Sequence, residues 1–474
     1  MDFITIFSAL LRWGLPALAG GAAALLLLAG AYRVYKKVFH GRGTVTKRQA
    51  FCGGLLCCWL LLVVGLTSLS RGANFTGAFN PDLFSGYVSA WNNWSLSELQ
   101  LILFNMLMFA PLGFLLPLLW KRAERLPVTL AVSLGVTGFI ELFQLATGTG
   151  IFELDDLLHN LLGSLAGYFL VMALLSLARE KRLRFAPAAK ALLIPGAVGL
   201  AVGAAFLAYA RQPYGNMSIL PASPQDMTGV RMEADWQAEE RGTAAVYKSR
   251  HALDKAWMET VRAGLEQLEG MTFSGPARRE DENLGYMGTD AKGRQARLLF
   301  FFRTGEWSCT TFAEPAPLTE QAAAALRTRY KDWMRETGLL PPNAAFTLQN
   351  GDTLRWDAAP ADGLAEGVEA FQQGSVMIQF DDSGALASFF YQVTWNERAA
   401  DEPILSPGEA WARVQAGDFE QYVPFAPGDV VRVTGCELRY LYDTKGFYQP
   451  VYQFSGFLND PETLWVCSIP ALKG

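Results

Sequence analysis

Residues 99–120 read LQLILFNMLMFAPLGFLLPLLW, an apolar run without a charge in which Asn105 stands among leucines, methionines and phenylalanines. As a helix it rises about 33 Å at 1.5 Å per residue, enough to cross a hydrocarbon core of about 30 Å. Five more stretches of about 18 to 22 residues have the same character: Leu15 to Tyr32, Phe51 to Leu69, Val128 to Ala146, Leu157 to Leu177 and Ala191 to Ala210. The first has its strongest basic flank after the apolar run, so it reads as a retained helix and not as a cleaved secretory signal. The expected fold is a polytopic all-α membrane bundle of six transmembrane helices followed by an extracytoplasmic α+β domain.

Charge divides the chain at the same place. Residues 1–210 hold 16 Lys and Arg against nine Asp and Glu, whereas residues 211–474 hold 24 against 36. An acidic soluble part argues against nucleic acid as its partner. Basic residues occupy alternate loops of the membrane part: Arg33, Lys36, Lys37, Arg42, Lys47 and Arg48; then Lys121, Arg122 and Arg125; then Arg179, Lys181, Arg182, Arg184 and Lys190. The other loops hold only Arg71. By the positive-inside rule the three basic loops are cytoplasmic. The N-terminus, the loop from Ser70 to Glu98 and the segment after Arg211 then lie outside.

With that orientation, polar residues of three helices come to one depth. Asn105 lies roughly 9 Å below the outer surface, and Glu141 and Gln144 lie within about 8 Å of it. The fifth helix enters through Asp155 and Asp156, with Asn160 about one turn deeper. A carboxylate or amide at such depth is costly without a partner or a water-filled pocket, which makes these six residues a candidate site. Glu141 and Gln144 share a face at i and i+3, and Asp156, Asn160, Gly163 and Gly167 draw one stripe along the fifth helix. Asp155 and His159 form a neighbouring stripe. The Gly163-x-x-x-Gly167 spacing predicts a close helix contact. Pro111 and Gly113 are expected to kink the third helix and to release carbonyls towards a cavity.

The run from Asn105 through Pro111 and Gly113, the pair Glu141-x-x-Gln144, and Asp155-Asp156-x-x-x-Asn160-x-x-Gly163 closing on Gly167-Tyr168 resemble the VanZ family over about Phe51 to Leu177. That resemblance implies a bacterial plasma-membrane protein associated with low-level teicoplanin resistance, and it supplies no catalytic residue. One departure stands out. VanZ-like proteins often carry a basic residue shortly before the acidic pair, whereas Thr147 to Glu153 reads TGTGIFE.

The organisation expected from these readings is an N-terminal helix and basic loop over 1–50, a VanZ-like domain over 51–177, a basic loop and sixth helix over 178–210, a tether over 211–229 and the outer domain over 230–474. Within that domain, helices are expected at Ala252 to Leu268, Thr319 to Thr337 and Pro407 to Gln415. Strands are expected at Ala296 to Arg303, Val376 to Phe380, Ala385 to Trp395, Val430 to Tyr442, Gln449 to Phe457 and Leu464 to Ile469. Asp381-Asp382-Ser383-Gly384 is a hairpin signal, and the order of elements predicts two related halves. The closing segment, with Leu405-Ser-Pro-Gly-Glu-Ala-Trp, Val433, Tyr440, Gln449-Pro-Val-Tyr-Gln-Phe and Ile469-Pro-Ala, resembles extracytoplasmic PepSY and YycI-type modules. The resemblance implies an inhibitory or sensing module with a protein partner or a wall component as ligand.

No cofactor and no metal site is expected, since His40, His159 and His251 are separated by topology. Cys52, Cys57 and Cys58 read as packing residues of the second helix, whereas Cys436 and Cys467 fall on candidate neighbouring strands and are candidates for a disulfide. Trp91 and Trp94 read as interfacial anchors or as the entrance to the polar pocket. Three readings of the polar cluster stay open. In the first, Asn105, Gln144 and Asn160 donate to, and Glu141, Asp155 and Asp156 accept from, an envelope lipid or (lipo)glycopeptide. In the second, Glu141 with Asp155 or Asp156 is an acid/base pair, or holds a hard cation, for chemistry on a lipid head group. In the third, the cluster is interhelical hydrogen bonding alone, worth about 0.6 kcal/mol per contact. The amides favour binding, because an amide orients a ligand and shuttles no proton.

Overall fold

The computed structural model describes residues 3–40, 44–69, 79–182, 184–280, 283–358, 367–421 and 423–473. Arg42, Arg71 and the beginning of the loop at Ser70 lie outside the described residues. The chain forms two units, residues 1–90 with 96–212, and residues 91–95 with 213–474.

The first unit is helical: α1 (Phe3–Lys37), α2 (Lys47–Val64), a short α3 (Ser85–Asn92), α4 (Leu96–Leu119), α5 (Leu126–Thr147), α6 (Leu154–Glu180) and α7 (Phe185–Arg211), with a two-strand parallel pair β1 (Phe79–Asn80) and β2 (Phe152–Glu153). All but α3 are long and apolar enough to cross a membrane, so this is a multi-pass membrane protein. Local chemistry sets the helix ends. Thr46 accepts from the Gln49 amide while the Gln49 side chain returns to the Thr46 amide, a reciprocal cap that starts α2. Pro127 sits in the first turn of α5, where its missing N–H is no loss, and Gly148 ends that helix at φ 65°. Cys58 is a packing residue, as its sulfur stands where Gly21 of α1 would carry a Cβ.

Helices α4 and α6 touch backbone to backbone. A Cβ on Gly163 would lie 1.8 Å from the Met106 carbonyl oxygen, one on Gly167 would lie 2.0 Å from that of Ala110, and one on Gly113 would lie 1.8 Å from that of Ser164. The two helices thus interlock from both sides, and Gly113 serves this approach. Helix α4 is continuous through Pro111 and Pro117. In the turn before Pro111 the Met108 carbonyl accepts from Trp59 Nε1 at 2.7 Å, which ties α4 to α2.

The second unit contains β3 (Arg231–Ala234), β4 (Thr243–Ser249), α8 (Lys255–Glu269), β5 (Thr272–Glu280), β6 (Asn283–Thr289), β7 (Gln295–Phe301), β8 (Glu306–Thr310), α9 (Glu320–Glu336), β9 (Ala345–Gln349), β10 (Thr353–Asp357), β11 (Ala370–Phe380), β12 (Leu386–Pro403), α10 (Pro407–Gln415), β13 (Val430–Tyr442), β14 (Phe447–Leu458) and β15 (Leu464–Pro470). The strands form one sheet in the order β3-β13-β14-β4-β12-β8-β7-β6-β5, with β15 added at β14, and β11, β10 and β9 following from β12. Every pairing is antiparallel except β13 with β3. Three cycles of helix then strands replace the expected two halves: α8 with β5 to β8, α9 with β9 to β12, and α10 with β13 to β15. One core gathers α8 and α9 around Trp307, Phe389 and Tyr391, and a second gathers α10 around Val431, Phe454 and Trp465.

Cys436 and Cys467 do not lie on neighbouring strands. Both register opposite Phe454, from β13 and β15 on either side of β14. Two strand spacings of about 4.8 Å exceed the Cα reach of a disulfide, and both thiols are free. The predicted hairpin is present. The Asp381 Oδ1 accepts from the Ser383 and Ala385 amides at 2.9 Å each, Arg294 donates to Oδ2 at 2.7 Å, and Gly384 takes φ 75°. Burial raises the Asp381 carboxyl, but the hydrogen bonds from Ser383, Arg294 and the two amides outweigh it and hold the group well below the usual carboxylate range.

Two predictions follow from this packing. Gly163→Ala is expected to lower membrane abundance or the melting temperature by the equivalent of about 1–3 kcal/mol of overpacking. Gly203→Ala, where a Cβ meets nothing within 4 Å, is expected to be neutral; equal behaviour of the two would refute the seam. A depressed folded pKa stabilises above the unfolded value near 3.9 and loses that contribution as pH falls through the folded one. Asp381→Asn is therefore expected to destabilise the second unit at pH 7 and to converge with the native chain in acid, as read by pH-dependent denaturant melts.

Candidate functional site

On α5, Thr129, Ser133, Thr137 and Glu141 recur every fourth residue, with Gln144 one turn on, and all five are buried. That spacing makes one polar lane down the helix. The α6 counterpart consists of Asp155, Asp156, His159, Asn160 and Ser164, and α4 contributes Asn105.

The strongest link joins α4 to α6. Asn105 Nδ2 donates to Asp156 Oδ1 at 2.7 Å, directly above the glycine seam. The Asp156 side chain keeps 26% of its surface exposed, whereas Glu141, His159 and Asn160 are each 3% exposed or less. His159 Nδ1 lies 3.8 Å from the same Asp156 oxygen, and its ring meets Tyr87 of α3 edge to face at 5.2 Å. Neither ring nitrogen of His159 has a hydrogen-bond partner. Asn160 Nδ2 donates to Thr137 Oγ1 at 2.7 Å, while its Oδ1 accepts nothing. Each such buried, unsatisfied atom costs about 1–3 kcal/mol.

The other two positions turn elsewhere. Gln144 Nε2 donates to the Thr67 carbonyl at 3.3 Å, beyond the end of α2. Asp155 accepts from the Phe84 amide at 2.6 Å and the Gly86 amide at 2.8 Å, with the Ser85 hydroxyl at 3.5 Å. It therefore caps the start of α3, where amides lack helical partners and the helix dipole favours an anion. Burial and the Asp155 charge push the Tyr87 phenol up to about 12. As a clamp on this turn, Asp155 is already occupied on both oxygens, unlike Asp156.

Asn105 and Asp156 thus meet with His159, and Asn160 meets Thr137. Glu141 is buried one turn from Thr137 on α5. Sequence reading left out Thr137 and Ser133, although their four-residue spacing before Glu141 was the available signal. Tyr87 carried none. Trp91 and Trp94 meet edge to face at 5.8 Å and cluster with the second unit.

The arrangement defines a class: a multi-pass membrane protein with a polar cluster shared by three apolar helices. Residues 54–176, which contain the whole cluster, match the family model described as VanZ/LLP1. Among solved structures, an uncharacterized protein from Eubacterium rectale ATCC 33656 is 11% identical with a TM-score of 0.20, covering 52% of this chain and 87% of that one. The YpeB C-terminal domain of Bacillus megaterium is 10% identical with a TM-score of 0.21, covering 48% and 100%. No curated protein matches the chain.

Replacing Asp155 by Ala is expected to speed amide hydrogen exchange in Ser85–Asn92 by about tenfold or more, at 1.5–3 kcal/mol per hydrogen bond to a charged group. Asp156→Ala is expected to leave that segment protected, and equal protection in both variants would remove the clamp assignment.

Proposed function

We propose that the cluster binds or shields the polar head of an envelope lipid or (lipo)glycopeptide at the outer leaflet and so contributes to tolerance of teicoplanin-type antibiotics. The observation that carries this reading is the Asp156 carboxylate. It is oriented by Asn105, partly exposed, and backed by a buried histidine with no hydrogen-bond partner. A ligand hydroxyl or amide donating to Asp156, and exchanging a hydrogen bond with His159, supplies what the protein leaves unmet. Asn160 presents a carbonyl oxygen in the same state.

The similarity of residues 54–176 to VanZ/LLP1 supports the link to glycopeptides. The basic residues of the loops around Lys121 and Arg179 support an orientation in which the Asp156 end faces outwards, with the N-terminus and the acidic C-terminal unit on that same side. An acid/base reading through Glu141 and the acidic pair keeps only Asp156 of that pair, because Asp155 holds the α3 turn. The absence of a basic residue between Thr147 and Glu153 favours a ligand that donates hydrogen bonds over an anionic head group.

The test is Asp156→Asn and Glu141→Gln in a host with the native gene removed, with membrane abundance measured alongside teicoplanin tolerance. Loss of one hydrogen bond to a charged group, about 1.5–3 kcal/mol, predicts a fall in tolerance of about tenfold for Asp156→Asn at normal abundance. Unchanged tolerance in both variants at normal abundance would refute the reading.

A further inference from the structure

The second unit holds a cleft of its own, of about 590 Å³, between the segment at Gln237 to Arg241 and the aromatic rows of β11, β13 and β14. That volume falls within the range of about 300–1,000 Å³ usual for small-ligand sites. It lies in a different unit from the polar membrane cluster and stands independently of the function proposed for that cluster.

Its aromatic wall has an ordered geometry. Tyr440 and Tyr448 face each other across β13 and β14 with centroids 5.3 Å apart and planes 30° apart, and Phe371 adds a third ring 6.1 Å from Tyr448. Tyr247 braces this row from behind, at 5.0 Å from Phe371 and 6.0 Å from Tyr440. The bracing rings have their hydroxyls engaged: Tyr247 donates to the Val368 carbonyl at 3.1 Å, and Tyr452 to that of Leu405 at 2.8 Å. The rings at the opening differ. The Tyr440 hydroxyl makes no hydrogen bond among the described residues, and the Tyr448 hydroxyl reaches only Gln373 Oε1, at 3.5 Å.

The rim charges are matched in place. Arg241 pairs with Glu239 at 2.8 Å, and Arg439 with Glu437 at 2.5 Å. The cleft therefore offers stacked π faces and neutral hydroxyl and amide groups, with its charges already compensated. A pyranose ring has the complementary anatomy. Its axial C–H face lies against the electron-rich face of an aromatic ring, and its equatorial hydroxyls reach outward to neutral partners. An anion or a highly charged peptide would have to displace one of the two ion pairs.

We infer that this cleft, at Phe371, Gln373, Tyr440 and Tyr448, binds a neutral oligosaccharide. The partly exposed parts of the Tyr440, Tyr448 and Phe371 rings lie against the sugar, and Gln373 and the two phenol hydroxyls take the ring hydroxyls or acetamido groups.

The experiment is calorimetry of the full-length chain in detergent with an N-acetylglucosamine trimer and, separately, with a wall stem tetrapeptide. Saturable binding of the trimer is expected. Tyr448→Ala and Tyr440→Ala should each weaken it by about tenfold, the scale of one lost aromatic contact. Glu336→Gln, on the exposed side of α9, should leave it unchanged. Gln373→Ala, which keeps every ring, should weaken it by about threefold to tenfold and serves where a tyrosine variant lowers the melting temperature. No binding of the trimer, binding of the tetrapeptide alone, or unaltered affinity in all three cleft variants would overturn the inference.

Discussion

The membrane half depends on how closely α4 and α6 approach each other. In lipid, helices gain little from hydrophobic burial, so association rests on van der Waals contact and on hydrogen bonds between helices. Gly163, Gly167 and Gly113 remove the side chains that would hold the two backbones apart, and the carbonyls of Met106, Ala110 and Ser164 occupy the space left. A seam this close has a consequence at its upper end. It brings the Asn105 side-chain amide within 2.7 Å of Asp156. The same geometry that packs the bundle therefore positions the most exposed carboxylate of the polar cluster.

Asn105 and Asp155 show how the polar cluster is divided between holding and presenting. Asp155 has both oxygens on the amides of Phe84 and Gly86, so α3 is tied across the top of α6 by charge-assisted hydrogen bonds. Once α3 is fixed, Tyr87 lies against the His159 ring and closes one side of it. Asp156 is then left with one oxygen engaged by Asn105 and with a quarter of its side chain open. Adjacent acidic residues on one helix turn point about 100° apart, which is why one can serve the scaffold while the other faces outward.

Much of this was legible before any coordinates, and the gaps have physical causes. The six spans follow from length and hydropathy alone. The Gly163-x-x-x-Gly167 contact follows from spacing, although only the structure identifies α4 as its partner. In the second unit the long strands β11 to β15 and the helices α8 to α10 carry strong periodicity and were expected close to where they stand. Strands β3 to β6 and β8 to β10 were missed, because short or glycine-containing segments such as NLGYMGT obtain their strand geometry from neighbours and not from their own pattern. The role of Asp155 was illegible for a similar reason, since its partners lie some 70 positions earlier in a turn without regular spacing. The Cys436 and Cys467 expectation failed on topology: β14 runs between the two strands, a fact that no local pattern contains.

The α5 lane adds a constraint on how the cluster can work. Thr137 accepts from Asn160, and Thr129 donates to the Ala123 carbonyl at 2.7 Å, so two members are engaged in holding α5. Ser133 between them is buried with its hydroxyl unsatisfied. Unmet polar atoms thus occur at Ser133, Asn160 and His159. Inside a bilayer such atoms are tolerated where water or a ligand reaches them. The lane accordingly gives the polar cluster a depth greater than one helical turn along α5.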